Sequence, residues 1–137
     1  MAQSGTAVQL AVNGTLMRGL ELEKNLQNAG ARFLREAKTQ NCYRLWSIRD
    51  IHPAMIRVKP GTEPSTAVDV EIWEVPAAGL ASVLLQEPEG LTIGKVTLED
   101  GQTVLGVVGE PALVEGMREI TAWGGWRNYL KALKEEF

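Results

Sequence analysis

An alternating apolar run, Ala7 to Val12, breaks without transition into Asn13-Gly14-Thr15-Leu16 and breaks again at Gly19, before a helical pattern begins. Alternation with a period of two is the mark of a strand, so the chain opens by feeding a β-strand into a glycine-bearing loop. A glycine at that point permits positive φ and lets another group approach the main chain closely. Successive amides in such a turn can share one direction and form a nest for a carboxylate or carbonyl oxygen. Two readings follow: a plain Asn-Gly turn, or an anion nest built from residues 13–16.

The same alternation of periods runs on down the chain. Residues 20–29 carry Leu22 and Leu26 four apart among charges, a short amphipathic helix stopped at Gly30. Residues 31–39 read as a strand whose charges (Arg32, Arg35, Glu36, Lys38) suit an edge, and residues 43–48 as a second, with Tyr43, Leu45 and Ser47 on one face. A short strand is expected at residues 55–58. Residues 68–75 alternate strongly, with Glu71 and Trp73 on the face opposite Val70 and Ile72. Pro76 starts a helix ended by Glu87-Pro88-Glu89-Gly90. Asp100-Gly101 between two apolar runs marks a hairpin joining strands 91–98 and 103–108. A helical turn over 111–117, a break at Gly124-Gly125, and a last helix over 126–137 with Tyr129, Leu130, Leu133 and Phe137 on one side complete the pattern. Six or seven strands with two or three short helices make an α+β domain.

Composition removes several classes of function. At 137 residues and 45% hydrophobic, the chain suits one folded domain over residues 1–137. A net charge of −3 and the lack of a basic cluster with interleaved aromatics argue against nucleic acid as a partner. No apolar run approaches the roughly 20 residues of a membrane span. The polar stretch from Met1 to Thr6 has no signal-peptide character. Cys42 is the only cysteine, which fits a reducing, cytoplasmic setting and excludes a disulfide framework. His52 is the only histidine, so neither a Ser-His-Asp triad nor a multi-histidine metal centre can be built, and no metal or other cofactor is expected. In Arg49-Asp50-Ile51-His52-Pro53 it reads as a surface loop residue.

The strand followed by Gly14-Thr15-Leu16 and Arg18-Gly19 resembles the Tyr-Gly-Thr/Ser-Leu loop of the γ-glutamylcyclotransferase family, with Asn13 in place of the tyrosine. A more extensive resemblance, from Leu10 to Leu130, runs to the C-terminal domain of allophanate hydrolase. Its most specific part is Ile120-Thr121-Ala122-Trp123-Gly124-Gly125-Trp126-Arg127-Asn128-Tyr129-Leu130, and Gly30-Ala31-Arg32-Phe33, Tyr43-Arg44-Leu45 and Glu71-Ile72-Trp73 are also similar. The resemblance implies a γ-glutamylcyclotransferase-like mixed β-barrel. It also implies that the loop amides hold a substrate carboxylate. In the allophanate-type loop a histidine is tied to decarboxylation. Leu16 stands at its position here, and a leucine cannot move a proton, so that step does not carry over.

By its place after the helix, Glu87 corresponds to the essential glutamate of the cyclotransferases, which acts as general base and acid. That work requires a carboxyl whose pKa is raised by burial. The other reading of Glu87 is a solvated residue at a helix end. The substrate-binding residues expected are Asn13, Gly14, Thr15, Leu16, Tyr43, Arg44 and Trp73. Arg18, Lys95, Arg127 and Tyr129 are further pocket candidates, and the charged ones read equally as surface charges. The expected function is that of a freestanding allophanate-hydrolase C-terminal-type domain in urea or allophanate nitrogen metabolism. It would bind a small carboxylate- or amide-bearing metabolite, with acid/base chemistry at Glu87. The alternatives are a non-catalytic module that docks on a separate amidase or forms a homodimer and, third, a true γ-glutamyl cyclotransferase.

Overall fold

The computed structural model describes residues 6–135. Phe137 on the last helix, and the N-terminal residues read as lacking a signal peptide (Thr6 apart), lie outside them. The first strand, β1 (Ala7–Val12), is the middle of a five-stranded sheet. It pairs antiparallel along its whole length with β5 (Asp69–Pro76), from Ala7 opposite Pro76 to Val12 opposite Glu71. Its other edge pairs parallel with β7 (Thr103–Gly109) through Leu10–Leu105 and Ala11–Gly106. Leu10, Ala11 and Val12 are all buried although their side chains alternate between the faces, so both faces of the strand are covered at this end. The charged β2 (Arg32–Lys38) and the hairpin strand β6 (Leu91–Thr97) form the two edges, in the order β2-β5-β1-β7-β6.

A closed barrel is not formed, and this corrects the expectation. The sheet curls until its outer strands touch at one corner, where Thr39 bridges Leu98 and the amides of Gln40 and Glu99 reach the carbonyls of Thr97 and Lys38. Beyond that single bridge β2 and β6 exchange no ladder, so the edges stay apart. The remaining strands form a separate three-stranded sheet in the order β4-β3-β8. Here β3 (Tyr43–Ile48) joins β4 (His52–Arg57) through Arg49 and Asp50, both with positive φ (55° and 61°), the hairpin geometry whose twist matches the strands. Asp50 is held there by hydrogen bonds from the Ser47 and Tyr129 hydroxyls, each 2.6 Å. The short β8 (Arg118–Glu119), not expected, is drawn in because Glu119 forms a two-point ion pair with Arg44 across the ladder.

The described residues thus hold eight strands and four α-helices rather than six or seven strands and two or three helices. The helices are α1 (Glu23–Asn28), α2 (Ala77–Leu85), α3 (Pro111–Val114) and α4 (Trp126–Glu135), with a 3-10 turn at Thr121–Trp123. α1 starts later than its periodicity suggests, since residues 14–22 are spent in turns closed by Met17 to Gly14, Leu20 to Met17 and Leu22 to Thr15. Two features seat the smaller sheet and the last helix. β4 packs on β7, where a Cβ on Gly109 would lie 2.9 Å from that of Ala54. Trp126 and Tyr129 of α4 are buried in the common core beside Leu26, Val68 and Ile120. Burial of one large side chain contributes roughly 1.5–3 kcal/mol, so these two aromatics are the main apolar anchors of the ten-residue helix.

Candidate functional site

Two glutamates are withdrawn from water in this molecule, and each sits in its own recess. The first is Glu87. α2 ends at Leu85, the Glu87 amide still reaches the Leu84 carbonyl, and Pro88 prevents another helical turn. The chain then turns at Gly90 (φ 93°) into β6. The Glu87 side chain is thereby fixed between a helix end and a paired strand. It lines a niche of about 10 Å³ with residues 12–16 of the opening loop, His52 and Pro53 of β4, and Leu91 and Val107. Its Oε2 is buried and accepts no hydrogen bond. Burial without a compensating donor disfavours the charged form, and the Glu87 carboxyl is pushed up to about 7.

The loop opposite is rigidly attached. Asn13, buried, donates from Nδ2 to the Val107 carbonyl at 2.9 Å, tying the end of β1 to β7. Gly14 does not adopt the positive φ that its type permits; Gly19 does, at 77°. Gly14 is needed for close approach instead, because a Cβ there would stand 2.5 Å from Pro53 Cδ. Among the described residues the amides of Gly14, Thr15 and Leu16 donate to no protein acceptor. They are the leading amides of a run of turns, left free as at the start of a helix. Leu16, 2% exposed, turns into the core.

His52 overturns its sequence reading. It is 6% exposed, opens β4 opposite Ile48, and lines the niche with Glu87. The apolar run Pro53-Ala54-Met55-Ile56 was the available signal that the strand starts there. Pro53 misleads, since it resembles a turn residue, but an edge strand tolerates a proline.

The second glutamate, Glu71 of β5, is 2% exposed and has the opposite surroundings. One oxygen accepts the Arg18 amide (2.9 Å) and the Trp73 indole (3.3 Å); the other accepts Arg18 Nε (3.2 Å) and the Arg127 guanidinium (3.1 Å). Burial pushes its pKa up, but the Arg18 amide, Arg127, Trp73 and the Arg18 guanidinium together outweigh it, and the carboxyl is held below its ordinary range. Arg18 further stacks on Phe33 at 3.6 Å and pairs with Glu36. This cluster walls a cleft of about 450 Å³ with Met17, Lys38, Asp69 and Trp126.

The structure therefore brings Asn13, Gly14, Thr15 and Leu16 together with Glu87, and separates the other expected residues from them. Tyr43 is wholly buried, its hydroxyl accepting the Thr97 amide at 3.1 Å. Arg44 is occupied by Glu119, and Trp73 by Glu71. Arg18 and Arg127 serve the Glu71 cluster, Tyr129 holds Asp50, and Lys95 is exposed. Among the described residues no group of three or more His, Cys, Asp or Glu is placed to hold a metal ion, and no helix is long and apolar enough to cross a membrane.

Comparison with known proteins places the chain in a family. The family model of the allophanate hydrolase C-terminal domain matches residues 8–131. Urea amidolyase of Lachancea kluyveri is 32% identical over 136 residues, 95% of this chain but 7% of that protein. The crystal structure of c4763, a uropathogenic E. coli-specific protein, is 58% identical with a TM-score of 0.88, covering 92% of this chain and 97% of that one. Kluyveromyces lactis allophanate hydrolase is 31% identical with a TM-score of 0.87, covering 93% of this chain and 22% of that one. A mouse AIG2-like protein, at 21% identity, TM-score 0.56 and 78% of each chain, shares the fold alone. The chain spans only a small part of the urea amidolyase and allophanate hydrolase chains that it matches, and it belongs to the allophanate hydrolase C-terminal domain family.

Proposed function

We propose that this domain handles a small carboxylate- or amide-bearing metabolite of urea or allophanate nitrogen metabolism, with the 13–16 loop as anion nest and Glu87 as acid/base. The observation that carries the reading is Glu87 itself: a half-buried residue whose Oε2 is buried without a partner and whose carboxyl is pushed up to about 7, beside a loop with three free amides. A carboxyl at that value is half protonated at neutral pH and can take a proton from one substrate atom and return it to another. Asn13, Gly14 and Thr15 bind the ligand carboxylate, and Leu16 fixes the loop from the core side. Tyr43, Arg44 and Trp73 act at a distance, by holding the sheets that carry the niche. The test is turnover of allophanate-like and γ-glutamyl substrates by the wild type and by Glu87→Gln. Loss of about a hundredfold or more with folding intact supports the reading; full retention of turnover by the variant sinks it.

One observation favours a second reading. A niche of about 10 Å³ admits a single water-sized group, so a metabolite enters only if the 13–16 loop moves from Pro53. A domain whose niche stays shut is a docking or oligomerisation module for an amidase. Sedimentation of the protein alone and with an allophanate-cleaving amidase separates the two: a stable complex together with no binding of glutamate or allophanate favours docking.

A further inference from the structure

His52 lines the niche that also holds Glu87. Its Nδ1 lies 3.0 Å from the Pro53 carbonyl oxygen. A carbonyl only accepts, so Nδ1 carries the proton in this contact, and the neutral ring keeps Nε2 as a free lone pair. No other hydrogen bond among the described residues engages the ring. Glu87 Oε2 is likewise unengaged, and both residues line a niche with room for about one water-sized group. The remaining walls, residues 12–16, Pro53, Leu91 and Val107, contain no titratable side chain. Next to the ring in sequence, Asp50 is taken by Ser47 and Tyr129, while Arg49 is exposed on the hairpin turn. Beside Glu87, Glu89 is exposed.

We infer that Glu87 and His52 act as one acid–base pair, sharing a proton across the niche. A nucleophilic N–H or O–H entering it loses its proton to His52 Nε2 as it bonds to the carbon of a ligand amide, while the Glu87 acid protonates the amide nitrogen whose bond to that carbon breaks. The pair is restored when the imidazolium proton returns to the Glu87 carboxylate, so one proton is carried through per cycle. The local dielectric strengthens this coupling, because apolar walls screen it little. The inference rests on the reading of Glu87 as acid/base, but its test needs no substrate.

Because His52 is the only histidine, its ring signals in proton and ¹⁵N NMR need no assignment. The expected spectrum of the full chain shows the Nδ1-protonated tautomer. Its Nε2 resonance at neutral pH moves in Glu87→Gln, because both residues line one niche. An unmoved resonance, or the Nε2-protonated tautomer, overturns the pair. His52→Asn retains a donor near Nδ1 and removes the proton-accepting Nε2, which separates a structural role from a proton role. The pair requires the Glu87 carboxyl to titrate higher in His52→Asn than in the wild type, and an unmoved Glu87 overturns it. Coupling seen by NMR together with full turnover by Glu87→Gln would refute the proposed chemistry while leaving the pair standing.

Discussion

Glu71 and Glu87 are both withdrawn from water, and their surroundings send them in opposite directions. Glu71 sits mid-strand, where the backbone can present an amide and neighbouring elements can converge on it. The Arg18 loop, the Trp73 indole on its own strand and the start of α4 together supply four donors. Glu87 sits where a helix ends against Pro88, and no donor reaches its Oε2. The first is a structural anion that joins β5, the opening loop and α4. The second lacks donors, and burial pushes its carboxyl up to about 7. Burial alone therefore does not make a carboxyl reactive: the number of donors decides whether the charge is kept or surrendered.

Replacement of Glu71 tests the structural side hardest. Glu71→Ala leaves two guanidiniums facing each other around a void. Because Arg18 and Arg127 are each nearly half exposed and can re-solvate, the cost is about 2–3 kcal/mol rather than that of a fully buried pair. Urea denaturation at pH 7 measures it, and a cost below about 1 kcal/mol would remove the distinction between the two glutamates.

Glu87 has the opposite sign. Its carboxyl is neutral in the fold below about 7 and ionises from 4.5 upward in the unfolded chain. The native state thus binds more protons between those values, and the contribution of Glu87 to stability falls as pH rises through them. The full shift corresponds to about 3 kcal/mol, and partial access to water reduces it to about 2 kcal/mol. Glu87→Gln is expected to gain that amount relative to the wild type between pH 4.5 and 8. Chemical denaturation of both proteins across that range gives the difference curve.

Gly14→Ala probes the niche without touching a charge. Its Cβ would meet Pro53 at 2.5 Å, so either β4 or the loop must give, at a cost of about 1–2 kcal/mol. Its melting temperature should fall, and the Glu87 carboxyl should titrate lower as water gains access. Trp73→Phe is the mildest change: it deletes one of the four donors to Glu71 and keeps the Phe33 edge contact, costing about 1 kcal/mol. The Glu71 carboxyl should then titrate higher than in the wild type.

Much of the frame was readable because period and punctuation coincide with it. β1 and β3 fall on the residues expected, the Asp100-Gly101 hairpin is formed, and the break at Gly124-Gly125 precedes α4. The juxtaposition of Glu87 with the 13–16 loop was also anticipated, through resemblance rather than periodicity. Three things were not readable. Closure of a barrel depends on sheet twist, which sequence pattern does not encode, and the β2 and β6 edges meet only at the corner around the Thr39–Leu98 bridge. His52 was hidden by Pro53, a residue that marks turns and edge strands alike. The Glu71 cluster draws donors from residues 18, 73 and 127, a separation no local pattern spans, although an acid set between Val70 and Ile72 in β5 was a sign of a buried, paired charge.

The contrast between the two glutamates can be read directly from carboxyl ¹³C NMR titration of glutamate-labelled protein, with Glu87→Gln and Glu71→Gln used for assignment. The expected result is one side-chain carboxyl with a midpoint near 7 that vanishes in Glu87→Gln, and one below 4.5 that vanishes in Glu71→Gln. A Glu87 midpoint at the ordinary value of 4.5 would contradict it, and with it the assignment of proton chemistry to this niche.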